Sequence, residues 1–309
     1  MIGAAVPSLR ARLALWEAHS SKQHAGGCSS GSTEGSVRRS SRPRNRYRLA
    51  VGKDLDRIEA HLRWREESTS TRVEVSRFGT ALFNDDFPSY WDGNFLRVDN
   101  AVDAAAEQLI AETDRLFEAS SHREIVVLDD VVGSRLVTSF AQEGWEIDHL
   151  VFMAQRRDLD HGSGLAVEEC TFDEVFPLML EANLASHGGM TREAAETNAA
   201  VRRVFADVTG ARFFAVRVDG VLAGFGELYA HDGVAEIDDV HTLERFRRRG
   251  IARAVVGRIV REARGMGAEI VFLIADDADW PKELYAKLGF DPVGRFWQFT
   301  KPPEGETYR

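Results

Sequence analysis

Cysteine is nearly absent from this 309-residue chain, which has only Cys28 and Cys170, far apart and in unlike surroundings. That excludes a disulfide framework and a cysteine zinc site, and makes a reducing cytoplasm the expected setting. No apolar run approaches the ~20 residues needed to span a bilayer, so no membrane partner is expected. None of the nine histidines falls in a metal-ligand spacing such as His-x-x-x-His on a helix, and no metal is expected. Positive charge is scarce as well, with 39 Lys and Arg against 49 Asp and Glu. It collects in residues 1–48, which carry nine basic and two acidic side chains and leave the remainder at net −17. A folded body of that sign argues against nucleic acid as a partner.

Residues 1–46 lack the means to bury surface. They run through Gly26-Gly-Cys-Ser-Ser-Gly-Ser-Thr-Glu-Gly-Ser36 and Arg38-Arg-Ser-Ser-Arg-Pro-Arg44, and they read as a disordered basic tail. The same composition suits a transit peptide, a nucleic-acid arm or a natural start further downstream. A tail without structure is the expectation. The remaining residues, in a chain that is 44% hydrophobic, suffice for two ordinary domains.

The most informative stretch is His241-Thr-Leu-Glu-Arg-Phe-Arg-Arg-Arg-Gly-Ile-Ala-Arg-Ala254. An apolar strand, residues 234–242, runs into arginines, then Gly250, then a helical pattern from Ile251 to Arg264. Glycine at a strand-to-helix bend permits close approach of a ligand, and the first-turn amides of the helix lack intrahelical partners. Such an end binds phosphate, and Arg247, Arg248 and Arg249 add charge to it. Further on, Glu283-Leu-Tyr-Ala-Lys-Leu-Gly-Phe290 predicts a helix carrying Leu284 and Leu288 on one face, with Tyr285 to the side. Gly289 caps that helix and Phe290 opens a strand.

Arg247-x-x-Gly250-x-Ala252 resembles the acyl-CoA signature of the GNAT N-acetyltransferase superfamily, and the Leu-Tyr-x-x-x-Gly-Phe segment resembles its second landmark. The resemblance implies a mixed, mostly antiparallel sheet flanked by helices, an α/β (α+β) class. It implies acetyl-CoA as cosubstrate, held at Val240, His241 and Thr242 by the backbone. The pyrophosphate would lie at Arg247, Arg248, Arg249, Gly250, Ile251, Ala252 and Arg253. Tyr285 would protonate the departing thiolate, and the backbone amide at Thr242 would polarise the carbonyl. A base must also accept the amine's proton. Glu236, eleven residues before Arg247, stands at the family's offset for its catalytic glutamate, with Asp238 and Glu227 behind it. Strict alternation places Glu236, Asp238, Val240 and Thr242 on one face and Asp239 and His241 on the other. The family often has Asn where this chain has Ala278, and Asp279 reads instead as a helix N-cap.

A quieter version of the same order occupies residues 47–157, ahead of the polar linker 158–164 and the catalytic half 165–303. Phe140-Ala-Gln-Glu-Gly144-Trp145 repeats the tyrosine helix at an offset of 145 residues, which argues for a tandem duplication. In this copy Asp99-Asn-Ala-Val-Asp103 replaces the phosphate loop and Phe140 replaces the tyrosine, so it reads as degenerate. In the second half a strand is expected at 165–169, an Asp219-Gly220 hairpin between strands 213–218 and 221–229, and a closing pair around Pro292 and Gly294. The resulting expectation is an acetyl-CoA-dependent N-acetyltransferase acting on a small-molecule or peptide amine. The alternative is a non-catalytic acyl-CoA-binding regulatory module. Acceptor identity and oligomeric state stay open.

Overall fold

The computed structural model describes residues 43–99, 103–158, 164–185, 191–278 and 281–303, with side chains from residue 52 onward. The expectations for residues 1–42, for loop 187–190 and for an Asp279 cap lie outside the described residues. The chain opens with α1 (Pro43–Thr69), so the helix begins four residues inside the segment read as tail. There follow β1 (Arg72–Ser76), β2 (Gly79–Phe83), β3 (Phe95–Val98), α2 (Ala106–Leu116), β4 (Arg123–Val127), α3 (Asp130–Gln142) and β5 (Glu146–Gln155). The second half holds β6 (Glu168–Cys170), α4 (Phe172–Leu184), α5 (Arg192–Thr209), β7 (Arg212–Val218), β8 (Val221–His231) and β9 (Val234–Thr242). It ends with α6 (Ile251–Gly265), β10 (Ile270–Asp276), α7 (Pro281–Lys287) and β11 (Phe290–Lys301).

The apolar patterning accounts for most of these elements. Strand β10 is a nearly continuous apolar run, and β4 ends in the apolar Ile125-Val-Val127, as sheet interiors covered on both faces require. Helix α6 repeats its apolar residues at Ile251, Val255, Ile259 and Ala263, all buried. Asp219 and Gly220 both take positive φ (51° and 80°), the twist a two-residue hairpin needs between β7 and β8. Two expectations need correction. Strand β6 covers only Glu168–Cys170, because residues 165–167 precede the pairing with β7. The expected closing pair is one strand, β11, kinked by a register shift between Pro292 and Gly294, where proline cannot donate to the ladder.

The eleven strands form a single mixed, mostly antiparallel sheet in the order β1-β2-β3-β4-β11-β5-β10-β9-β8-β7-β6, flanked by helices. Only β3/β4 and β9/β10 pair in parallel. The two halves of the chain therefore do not make separate sheets. Each sends its last strand into the middle, so that β11 lies against β4 and β5 lies against β10. Outward from the central β5/β11 pair, each arm reads antiparallel, parallel, antiparallel, antiparallel, and the second arm adds one further antiparallel pair, β7/β6. Helix α1 lies across the junction of the arms. Its Ile58 and Leu62 share an apolar cluster with Leu82 and Phe95 of the first half and with Val234 and Phe272 of the second.

Candidate active site

The site begins where β9 and β10 part. Their parallel pairing stops at Ile237 opposite Leu273. Past that point β10 stays with β5, through Ile274↔Phe152 to Asp276↔Leu150, while β9 stays with β8. Strand β9 is turned aside by one extra residue: Glu227 faces Asp238 and Phe225 faces His241, so three steps on β9 match two on β8. Asp239 absorbs the misfit at φ 46°, in the left-handed region. The edge of Val240–Thr242 nearest β10 is thereby left without a partner strand among the described residues.

The bulge also corrects the expected alternation. Residues opposite one another across an antiparallel pair share a face, so Asp238 and His241 lie together with Glu227 and Phe225. Val240 turns to the α6 side, where it packs against the core and approaches Gly226. Thr242 lies on that side too, against Gly224, and its Oγ1 is buried without a hydrogen bond. A strict period of two cannot cross a bulge.

Beyond Thr242 a short 3-10 turn, Glu244–Phe246, leads to the arginines. Arg245 pairs with Glu181 of α4, and Arg245 and Arg249 lie over the Phe246 ring at 5.0 and 5.4 Å. Arg247 Nε donates to the Thr242 carbonyl at 3.4 Å, which ties the loop to the strand end. Arg248 (φ 62°) and Gly250 (φ 79°) both adopt left-handed backbone, folding the loop over the helix end. The first backbone bond of α6 runs from Ala254 N to Gly250 O, so the amides of Ile251, Ala252 and Arg253 have no intrahelical acceptor. No acidic side chain lies in that first turn. These are the donors an anionic group requires, and the chain fits a pyrophosphate there.

Tyr285 reaches the same cleft from α7. Its side chain is buried, in edge-to-face contact with Phe290 at 6.2 Å, while Leu284 is only half buried. The tyrosine therefore sits on the packed face rather than beside it. Burial, then the neighbouring Asp238 and Asp239, push its phenol well above the ordinary range and keep it protonated. Gly289 holds φ 88° at the end of this helix, and a Cβ there would stand 2.4 Å from the Arg157 carbonyl.

The three candidate bases lie in one buried ionic network. Glu236 is 1% exposed, on the stretch of β9 still paired to β10. Arg65 Nη1 approaches its Oε1 at 3.1 Å and His61 Nε2 its Oε2 at 3.5 Å. Asp238 Oδ2 takes Arg65 Nη1 at 3.1 Å and Arg202 Nη1 at 3.0 Å. Burial alone would raise its pKa, but Arg202 and Arg65 outweigh burial and hold it at about 2. A carboxylate so held is a poor base at neutral pH. Glu227 is the opposite case: burial lifts it to about 8 against the pull of Arg202, and Tyr229 Oη donates to its Oε2 at 2.7 Å.

Arg65, His61, Arg202 and Tyr229 carry no mark of this role in the sequence. Arg65 is 171 residues from Glu236 in the chain, on α1. Among the described residues no group of three or more His, Cys, Asp or Glu is placed to hold a metal ion. No helix among them is long and apolar enough to cross a membrane.

Residues 179–290 match the model of the acetyltransferase (GNAT) family. Among solved structures, the chain resembles a functionally unknown conserved protein from Staphylococcus epidermidis at 14% identity and a TM-score of 0.57, covering 76% of this chain and 94% of that one. It also resembles a GCN5-related N-acetyltransferase from Kribbella flavida at 17% identity and a TM-score of 0.52, with 82% and 95% covered. At those identities the likeness is one of fold. No curated protein sequence gives a significant match.

Proposed function

We propose, from the match of residues 179–290 to the acetyltransferase (GNAT) family model, that the chain is an acetyl-CoA-dependent N-acetyltransferase acting on a primary amine. One observation supports this above the others. The parted strands β9 and β10 open beside a helix end whose amides, left-handed Gly250 and arginines suit a pyrophosphate. In this reading Arg247, Arg248 and Arg249, with the amides of Gly250, Ile251, Ala252 and Arg253, hold the phosphates. The open edge of Val240, His241 and Thr242 receives the pantetheine as an added strand would.

Acetyl-CoA supplies an activated acyl group, a thioester. The amine nitrogen bonds to the acyl carbon, the carbon–sulfur bond breaks, and two protons must move. Tyr285 gives its phenolic proton to the leaving sulfur, a role suited to a phenol that stays protonated. Of the carboxylates, Asp238 is disabled as a base by its two guanidiniums. Glu236 keeps Oε2 without a hydrogen bond, and we assign it as the sink for the amine's proton, reached through water. Its hold by Arg65 and His61 is the observation that favours the second reading, a module that binds acyl-CoA without turning it over.

Two measurements separate these readings. Calorimetry with acetyl-CoA should report one site per chain, and an amine panel read by free-thiol release should find a substrate. Binding with no turnover across the panel would favour the module. Absence of binding would remove both.

A further inference from the structure

Helix α1 belongs to the first half of the chain, yet its inner face reaches the carboxylates of the second. Ile58, His61, Leu62, Arg65 and Thr69 recur at the three- and four-residue spacing of one helix face, and all but the half-buried Arg65 are buried. Ile58 and Leu62 join the apolar cluster beneath, while His61 and Arg65 meet β9. Arg65 Nη1 stands 3.1 Å from both Glu236 Oε1 and Asp238 Oδ2. The His61 ring lies against Trp64 and Phe272, at centroid distances of 5.2 and 5.5 Å, with its Nε2 3.5 Å from Glu236 Oε2. That nitrogen and that oxygen are both buried, and neither has a hydrogen bond among the described residues. Buried polar atoms are ordinarily satisfied, and a hydrogen on Nε2 would give each of these two what it lacks.

The other groups around Glu236 are engaged elsewhere. Glu66 of α1 is taken by Arg97 at 2.7 Å, and Arg202 of α5 serves Asp238, Glu227 and Tyr229. On β8, Tyr229 stands opposite Glu236 but gives its hydroxyl hydrogen to Glu227, and on β10 the opposite residue is Phe272. Arg65 and His61 are thus left to act on Glu236. We infer that they are its positioning residues, so that the first half of the chain sets the proton transfer of the second. The inference rests on the acetyltransfer reading and extends it. A carboxyl shut away from water keeps its proton unless a cation stands beside it, and one that already holds a proton cannot take the amine's. Arg65 supplies the cation. His61 donates to the second oxygen and fixes the plane of the group. Both residues act through Glu236 rather than on the amine. The contacts that favour a silent module therefore also suit a working one, and the two differ in what the loss of Arg65 does.

Two experiments on the full chain test this. The first needs no turnover: nitrogen NMR of the His61 ring, identified by its loss in His61→Gln, should show hydrogen on Nε2. A ring with hydrogen on Nδ1 alone would overturn the inference. The second follows thiol release from acetyl-CoA with ethylamine, 1,4-diaminobutane and glucosamine as probe amines. Arg65→Met should lower kcat by about 10²-fold, with KM for the amine and acetyl-CoA affinity within about threefold of the parent chain. Arg65→Lys, which keeps the charge, should recover most of the rate. Equal losses in the Lys and Met variants, or a loss confined to KM, would mean that Arg65 only packs and would overturn the inference. If Arg65→Met does not fold, the His61 variants carry the comparison. Gln keeps a donor near the Nε2 position and should retain the rate, whereas His61→Leu should lose about tenfold. Equal rates in those two would count against the inference in the same way. A parent chain inert towards every probe amine would sink the proposed function, and the NMR measurement would still decide whether His61 holds Glu236.

Discussion

The two arms of the sheet share an order of strand pairing and diverge where their parallel strands end. In the second arm, Thr242 leads through arginines to a left-handed Gly250 and a helix end rich in open amides. In the first arm, Val98 leads to Asp99, whose carboxylate already accepts from Thr80 at 2.8 Å and Arg97 at 3.1 Å. The helix after it, α2, starts behind Ala105 with Glu107 in its first turn, a charge that would oppose phosphate. Phe140 stands in the first arm where Tyr285 stands in the second, fully buried and stacked on Phe299 at 4.2 Å. Strand order is thus set by apolar patterning over many residues, whereas the candidate chemistry depends on a few. We propose on that basis that the first arm is a degenerate copy of the second, kept for the strand it lends and the wall it builds.

The largest effect should come from separating the arms. Strands β5 and β11 each complete the other half's side of the sheet, so residues 43–158 and 164–303 made as separate chains should each fail to fold alone. Co-expression should recover a one-to-one complex by size-exclusion chromatography. Two monomeric, cooperatively melting halves would show that the strand exchange is dispensable.

Gly250→Asp comes next. A carboxylate at the helix end should weaken acetyl-CoA binding by about 10²-fold or more, while Asp99→Gly in the first arm should create no second site. A chain that still binds normally after the Gly250 change would move the cofactor elsewhere.

A milder loss is expected from Tyr285→Phe, which keeps the ring and copies Phe140. Turnover should fall about 10²-fold with acetyl-CoA affinity nearly unchanged. Rates equal to those of the parent chain would take the tyrosine out of the mechanism.

Glu227 offers a smaller, pH-dependent contrast. An unfolded glutamate titrates near ~4.3, whereas burial lifts Glu227 to about 8. The folded state thus favours the protonated carboxyl. That stabilisation is complete below the unfolded pKa and is lost as pH rises towards about 8. Asp238, held at about 2, contributes in the opposite sense and loses its share only in acid. Melting curves should show Glu227→Gln gaining on the parent chain between pH 5 and 8, in line with that shift. A constant difference across that range would mean the carboxyl is ionised throughout.

The least effect belongs to the tail. A chain beginning at Pro43 should keep its melting temperature and its acetyl-CoA affinity, since α1 starts there. A loss of either would show that residues 1–42 fold onto the body.

Local sequence was enough to specify most elements of the second half, though not the bounds of β6 or the single course of β11, and it specified the bend at Gly250, the cap at Gly289 and the hairpin at Asp219-Gly220. Each arises from interactions within a few residues, namely a period of apolar side chains or a backbone angle that glycine tolerates. The loop proposed to hold the pyrophosphate was legible for the same reason. The exchange of β5 and β11 was settled only by tertiary structure, because either strand would satisfy an open edge equally well and only the whole sheet selects between them. So were the faces of Val240 and His241, because a single inserted residue at Asp239 reverses the alternation with no compositional trace. The standing of the candidate bases belongs with them. A carboxylate's proton affinity depends on the charges around it, and the ones that matter, Arg65 and Arg202, reach Asp238 from across the fold.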